Sequence, residues 1–129
     1  MEIARECGVS GAAIHQRIKK LEHSGIITGS TLLVKPESLG LEVCAFINVT
    51  ITQTDKYDEV VRALKALPEI VECHYVTGRS TLLLKVYCID NNDLINNVIR
   101  AIQVMPFIQS TETLISLDCP FDRQVSVRI

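Results

Sequence analysis

An internal repeat constrains the fold of this chain more than any other feature of its sequence. The segment VVRALKALPEI at residues 60–70 aligns without gaps with VIRAIQVMPFI at residues 98–108, at an offset of 38 residues. Each copy reads as a helix that a proline ends, with β-prone runs before and after it. Such a duplicated strand–helix–strand unit indicates a sheet covered by helices, although it says nothing directly about chemistry.

The two copies predict an α+β domain, the ferredoxin-like βαββαβ arrangement, in which a four-stranded antiparallel sheet carries both helices on one face. The predicted elements are strand 43–52, helix 55–67, strands 70–77 and 81–89, a second helix capped by Asp90, and strand 108–119. The side chains predicted to face the core from the first strand are Val43, Ala45, Ile47, Val49 and Ile51. Those predicted from the helices are Tyr57, Val60, Val61 and Leu64, then Leu94, Ile95, Val98, Ile99 and Ile102.

The sheet face turned away from the helices is predicted to be half apolar. Its side chains would include Cys44, Phe46, Cys73, Tyr75, Leu83 and Tyr87. A monomer with an open sheet usually has a polar outer face, so we expect a second chain to pack sheet against sheet. An error of one residue in strand register would instead turn this apolar set toward the helices.

Ahead of the repeat, the stretch VSGAAIHQRIKKLEHSGIITG at residues 9–29 reads as an amphipathic helix with both ends marked. Ser10 can cap its N-terminus and Gly25 can close its C-terminus. Its apolar stripe consists of Ile14, Ile18 and Leu21. The opposite side is short, polar and basic, which suits either a solvated surface helix or a helix that enters the major groove of DNA.

The residues around this helix favour a role in DNA binding. Residues 2–7 predict a short helix and Gly8 a tight turn, which together with the basic helix make the second half of a helix-turn-helix. Residues 26–34 contain two β-prone runs and predict a small hairpin or wing. We therefore expect a partial helix-turn-helix head at 1–29, a linker or wing strand at 30–40, and the ferredoxin-like domain at 41–129.

Composition and charge indicate a globular chain with an uneven charge distribution. Of the 129 residues, 47% are hydrophobic, and the net charge is −2. Residues 1–35 hold five basic and three acidic side chains, whereas the rest of the chain holds eight basic and twelve acidic ones. A head this weakly basic would need at least two copies to hold DNA. No run is apolar enough to cross a membrane and no signal peptide is recognisable, so we expect a cytoplasmic protein.

The sequence does not predict an enzyme, a metal site or a cofactor. The five cysteines, odd in number and without a CxxC pair, read as reduced, packed thiols: Cys7, Cys44, Cys73, Cys88 and Cys119. Cys73 and His74 are neighbours on a strand and point to opposite faces, so they cannot act as nucleophile and base. The spacing of Cys7, His15 and His23 fits no structural zinc pattern.

Over its whole length the chain resembles the Lrp/AsnC (feast/famine) family of transcription regulators. The resemblance rests on EIARECGVSGAAIHQRIKKLEHSGIITG, LLVKPESLGL, HYVTGRSTLLLKV and QSTETLISL, which begin at residues 2, 32, 74 and 109. It implies a partial winged helix-turn-helix head, an effector domain, and a homodimer that assembles further into an octamer. Because the family's head has three helices and Met1 falls at the second, the first helix is expected to be missing.

The resemblance also implies two sites. The residues expected to face double-stranded DNA are Ser10, Gly11, Ala12, His15, Gln16, Arg17, Lys19 and Lys20. The residues expected to bind an amino acid or related small metabolite lie at a turn: Tyr75, Thr77, Gly78, Arg79, Ser80 and Thr81. The family often has an acidic residue where this chain has Thr81. Arg79 would therefore weight the site toward the effector's carboxylate, unless it is merely solvated and backbone groups hold the effector.

These observations lead to two functional hypotheses. The first is a DNA-binding transcriptional regulator whose oligomeric state or operator affinity responds to a small effector, an amino acid. The alternative is a stand-alone amino-acid-binding module that does not bind DNA, which the negative net charge of the chain favours.

Overall fold

The computed structural model of the chain describes residues 10–126, which divide into two compact units between Val34 and Lys35. The first unit contains the basic helix, and the second contains the sheet and its helices. The helix predicted at residues 2–7, the Gly8 turn and Cys7 lie outside the described residues.

The basic helix α1 spans Gly11–His23 and ends where its capping residues predict. A backbone N–H of the first turn donates to Oγ of Ser10 at 3.2 Å. At the other end Gly25 has a φ of +82°, and the N–H of Ile26 donates to the carbonyl of Leu21 at 2.9 Å. This left-handed glycine closure satisfies carbonyls that the last helical turn leaves free.

The segment after α1 differs from the prediction. Between residues 24 and 42 the chain forms a 3₁₀ helix at Pro36–Leu39 and no strand, so the two β-prone runs do not make a hairpin. Leu32 and Leu33 are 90% and 95% exposed. A β-prone run becomes a strand only when another strand satisfies its main chain, and within the described chain none pairs with this segment.

The second unit is built on a four-stranded antiparallel sheet. Its strands are β1 Val43–Ile51, β2 Ile70–Tyr75, β3 Leu82–Cys88 and β4 Ile108–Ile115, in the spatial order β2-β3-β1-β4. This order confirms the ferredoxin-like arrangement. The predicted last strand was too long, because β1 begins at Val43 and offers residues beyond Ser116 no main chain with which to pair.

Two helical segments connect the strands. A 3₁₀ turn at Thr54–Lys56 leads into α2 at Tyr57–Lys65, which is shorter than predicted. The second segment, α3, is continuous and consists of an α-helical turn Asn91–Asp93, a π-helical turn Leu94–Ile99 and an α-helical turn Arg100–Gln103. As predicted, Asp90 caps it, accepting a hydrogen bond from the N–H of Asp93 at 2.8 Å.

Both helices pack on the same face of the sheet and form one core with it. The predicted alternation along β1 is confirmed, since Ala45, Ile47, Val49 and Ile51 are buried in this core. The other buried members of the core are Val60, Leu64, Leu82, Leu84, Val86, Cys88, Leu94, Val98 and Ile102. The buried residues of α3 are spaced by four, which suits its wider π-helical turn. Ile95, predicted to face the core, lies off this line and is 42% exposed.

The prediction for β2 was wrong by one residue. The register pairs Cys73 with Leu84 and Tyr75 with Leu82, so both side chains lie on the helix side and not on the open face. A bulge between Ile70 and Glu72 shifts the alternation of the strand. Glu72 and His74 therefore occupy the open face in their place.

Candidate DNA-binding helix and effector-binding turn

Helix α1 presents a continuous polar surface opposite a buried apolar stripe. Ile14 is buried, and Ile18 and Leu21 are half-buried. Of the residues predicted to face DNA only Gly11 is half-buried, and the exposed ones are Ser10, Ala12, His15, Gln16, Arg17, Lys19 and Lys20. The amphipathic sequence of α1 and its two capping residues are therefore sufficient to leave these side chains exposed to solvent.

The exposed surface of α1 can attract an anion without competition from its neighbours. Arg17, Lys19 and Lys20 form no ion pair with any residue that the structure describes. The first turn contains no acidic side chain. Guanidinium and ammonium groups arranged in this way suit phosphate oxygens, and the amide of Gln16 suits base edges.

The sequence prediction missed His23 on this surface. His23 follows Lys19 by four residues, so it lies on the same exposed face in the last helical turn. The 3.6-residue period could have identified it. His23 thus extends the exposed polar surface toward the C-terminus of α1.

The predicted effector-binding turn connects β2 to β3. Gly78 has a φ of +114°, a conformation that side-chain-bearing residues rarely adopt, and the N–H of Val76 donates to the carbonyl of Thr81 at 3.0 Å. Thr77 and Arg79 are exposed and Ser80 is half-buried. The turn therefore leaves hydroxyl and guanidinium groups available to a ligand.

Thr81 has a structural role in this turn that its sequence position did not reveal. Its N–H donates to the carbonyl of Val49 at 2.9 Å, and its Oγ1 accepts from the N–H of Ile51 at 3.3 Å. Both bonds attach the turn to the end of β1. The hydroxyl of Thr81 is thus already engaged, which distinguishes it from the other predicted effector-binding residues.

An aromatic pair stands beside the turn on the helix side. The rings of Tyr75 and Tyr57 meet edge to face with centroids 5.2 Å apart, and Tyr75 is 61% exposed. Tyr57 was predicted only as a core residue, so its contact with a candidate site residue was missed. Such a pair offers a rigid apolar wall with two hydroxyl groups.

The open face of the sheet combines apolar side chains with a charged cluster. Phe46 lies opposite Leu114 across the β1–β4 pair. Glu72 contacts His74 at 3.0 Å and Lys85 at 3.5 Å. The hydrogen bond from His74, together with the Lys85 charge, holds the pKa of the Glu72 carboxyl below its usual value.

Three thiols of the second unit are poor nucleophiles. Partial desolvation of the sulfur raises the pKa values of the Cys44 and Cys73 thiols, and burial raises the pKa of Cys88 to about 11. Little reactive thiolate is therefore present near neutral pH. The predicted packing holds for Cys88, which is buried, but Cys73 and Cys119 are exposed. None of the helices between residues 10 and 126 is long and apolar enough to span a membrane.

Comparison with known proteins identifies the family. The family described as the Lrp/AsnC ligand binding domain matches residues 44–125, and the winged helix-turn-helix DNA-binding family matches residues 2–28. The chain belongs to the Lrp/AsnC family of transcriptional regulators. Its relatives in Haemophilus influenzae and Escherichia coli are named regulatory protein AsnC.

Individual relatives in the Lrp/AsnC family match nearly the whole chain. The solved structure of Escherichia coli AsnC is 38% identical, covers 96% of this chain and 83% of its own, and superposes with a TM-score of 0.82. The regulatory protein AsnC of Haemophilus influenzae is 37% identical over 124 residues, which is 96% of this chain and 83% of that protein. A Neisseria meningitidis transcriptional regulator solved with L-methionine is 25% identical, covers 98% and 82% of the two chains, and has a TM-score of 0.83.

Removing the Thr81 hydroxyl tests its structural role. Thr81→Val should lower the free energy of unfolding by about 1–3 kcal/mol, because the N–H of Ile51 would lose its acceptor in a partly buried place. Urea denaturation measures the change. Thr77→Val, the same substitution at an exposed position of the turn, should leave stability nearly unchanged. Equal losses in the two variants would contradict this role.

Proposed function

We propose that this regulator binds operator DNA as a homodimer through α1. An amino acid or related small metabolite, bound at the β2–β3 turn, changes its oligomeric state or its operator affinity. The observation that carries the proposal is the exposed polar and basic surface of a helix capped at both ends, whose cations form no ion pair with any residue from 10 to 126. Such a regulator acts in the cytoplasm, where it meets both DNA and free amino acids.

The DNA contacts divide into two kinds. Arg17 and Lys20 lie on one flank of the exposed surface and contact phosphates, which position the helix without reading sequence. Gln16 and His15 contact base edges. Lys19 extends the DNA-facing surface of α1 toward the DNA backbone. The small residues of the first turn let the helix approach closely. Because one head is weakly charged, two heads of a dimer read half-sites about 34 Å apart.

The open sheet face supports the proposed homodimer. It exposes the apolar pair Phe46 and Leu114 together with Leu83 and Tyr87, all half-buried or exposed in a single chain. Packing this face against its copy would remove that apolar surface from water. Further assembly into an octamer follows from the family resemblance.

The turn supports recognition of the effector's carboxylate. Arg79 is exposed and makes no ion pair among the described residues, so its guanidinium is available for two parallel hydrogen bonds to a carboxylate. Thr77 and Ser80 add hydroxyl groups, and Tyr75 provides an apolar wall. The neisserial regulator solved with L-methionine is consistent with an amino-acid effector.

The DNA-binding role predicts a steep salt dependence. The affinity of the chain for genomic duplex fragments should fall sharply with salt, and Arg17→Ala should reduce the log–log slope by about two, because a homodimer loses one phosphate contact in each of its two heads. Gel-shift titrations at several salt concentrations measure this slope. Arg62→Ala, which removes an exposed arginine from α2, is the matched control and should leave the slope unchanged.

Two results would contradict this role. If Arg17→Ala and Arg62→Ala behave alike, Arg17 does not contact a phosphate and the proposed orientation of α1 on DNA is wrong. If no fragment binds while amino acids do, the chain is a stand-alone amino-acid-binding module.

The effector role predicts a ligand-dependent melting temperature. At least one of the twenty amino acids at millimolar concentration should raise it, since a ligand bound only by the folded state stabilises that state, by about 2.7 kcal/mol at a hundredfold excess over Kd. Arg79→Ser should abolish the shift and Arg62→Ser should retain it. A full shift in Arg79→Ser would mean that backbone groups hold the effector, and no shift with any amino acid would contradict the sensing role.

A further inference from the structure

The centre of the exposed face of α1 contains four side chains in a row. Ala12, Gln16, Lys19 and His23 are separated by four, three and four residues, and all four are exposed. At 100° per residue they lie opposite the buried Ile14. Any DNA that the helix meets face on therefore contacts this row first.

The side chains of this row change from neutral to basic along the helix. Its first half, Ala12 and Gln16, is neutral, whereas its second half and the adjoining Lys20 are basic. The basic half gains energy from any phosphate, whatever the sequence. The neutral half has no such attraction, so its contribution depends on which base edges it meets. In helix-turn-helix proteins the N-terminal residues of the recognition helix are those that reach the bases.

The chemistry of Gln16 matches one base. A glutamine side chain carries one amide donor and one carbonyl acceptor side by side. In the major groove adenine presents the complementary pair, the N6 amino donor and the N7 acceptor. Guanine presents two acceptors there, so the glutamine carbonyl would face a like group. Gln16 therefore discriminates in favour of adenine.

The chemistry of Ala12 matches the thymine methyl group. Ala12 precedes Gln16 by one turn, which is about 6 Å along the helix axis. A helix in the major groove lies across the base-pair stack and not along the DNA axis, and side chains about one helical turn apart then meet successive base pairs, so Ala12 and Gln16 meet adjacent base pairs. A methyl group with no hydrogen-bonding atom gains most from an apolar partner, and the C5-methyl of thymine is the apolar group of the major groove.

We propose that α1 selects its operator by two A·T pairs, with Gln16 hydrogen-bonded to the N6 and N7 edge of one adenine and Ala12 packed on a thymine methyl of the adjacent base pair. This inference rests on the proposed DNA-binding function and adds the sequence that the helix prefers. Lys19 and the adjoining Lys20 supply affinity without discrimination.

The experiment begins with the preferred duplex of the whole chain, selected from random sequences. Replacing the A·T pair assigned to Gln16 by G·C should weaken binding about tenfold at fixed salt. Gln16→Glu, nearly the same shape, should shift the preference to C·G, because a carboxylate accepts from the N4 amino group of cytosine. Gln103→Glu makes the same change at an exposed position of α3 and should keep the adenine preference.

The methyl contact is tested separately. Replacing the thymine assigned to Ala12 by uracil, which lacks the C5-methyl, should weaken wild-type binding severalfold and leave Ala12→Gly binding unchanged. Each variant is compared only with itself on the two duplexes, so any loss of helix stability cancels. Equal sensitivity of both proteins to uracil would overturn the contact.

The failure of this inference differs from the failure of the proposed function. The chain could bind duplexes but prefer another base at the position assigned to Gln16, or Gln16→Glu could keep the adenine preference. Either result would contradict the base-reading proposal and leave the DNA-binding proposal intact. If the wild-type chain selects no duplex at low salt, both proposals fall.

Discussion

The structure of the second unit depends on the central position of β1. This strand pairs with β3 along one edge and with β4 along the other, so its alternation sets the two faces of the whole sheet. Its odd-numbered residues from Ala45 to Ile51 face the helices and require α2 and α3 to cover them. Its even-numbered residues create the open face, whose apolar part supports the proposed homodimer. The far end of β1 also anchors the candidate effector-binding turn through Thr81.

The first unit depends on a different and more local constraint. Helix α1 holds its polar surface outward because Ile14 is buried on the other side and because Ser10 and Gly25 define its ends. The cations that it exposes belong to a unit of opposite charge sign from the rest of the chain, which supports the proposed placement of the DNA contacts on α1. In the proposed function, reading of DNA and binding of an effector belong to separate units, and an equilibrium between assemblies or conformations that both ligands shift would couple them.

Features that depend on neighbouring residues could be predicted from the sequence, whereas those that depend on distant ones could not. The internal repeat predicted the topology of the sheet. Single residues, Ser10, Gly25 and Asp90, predicted the helix ends that they cap. The bulge in β2 could not be predicted, because it arises from pairing with β3. The exposed residues of α1 followed from the helical period, except that His23 was missed. The engagement of Thr81 was missed because its partner Ile51 lies 30 residues earlier in the chain.

The central claim is that an effector bound by the second unit changes the DNA affinity of the first. The most direct measurement is the operator Kd of the whole chain with and without a saturating concentration of the amino acid that most raises its melting temperature. We expect the two Kd values to differ, and the amino-acid Kd to change by the same factor when operator is added, because binding free energies are reciprocally linked. An operator Kd unaffected by the bound amino acid, with the oligomeric state also unchanged, would contradict the account.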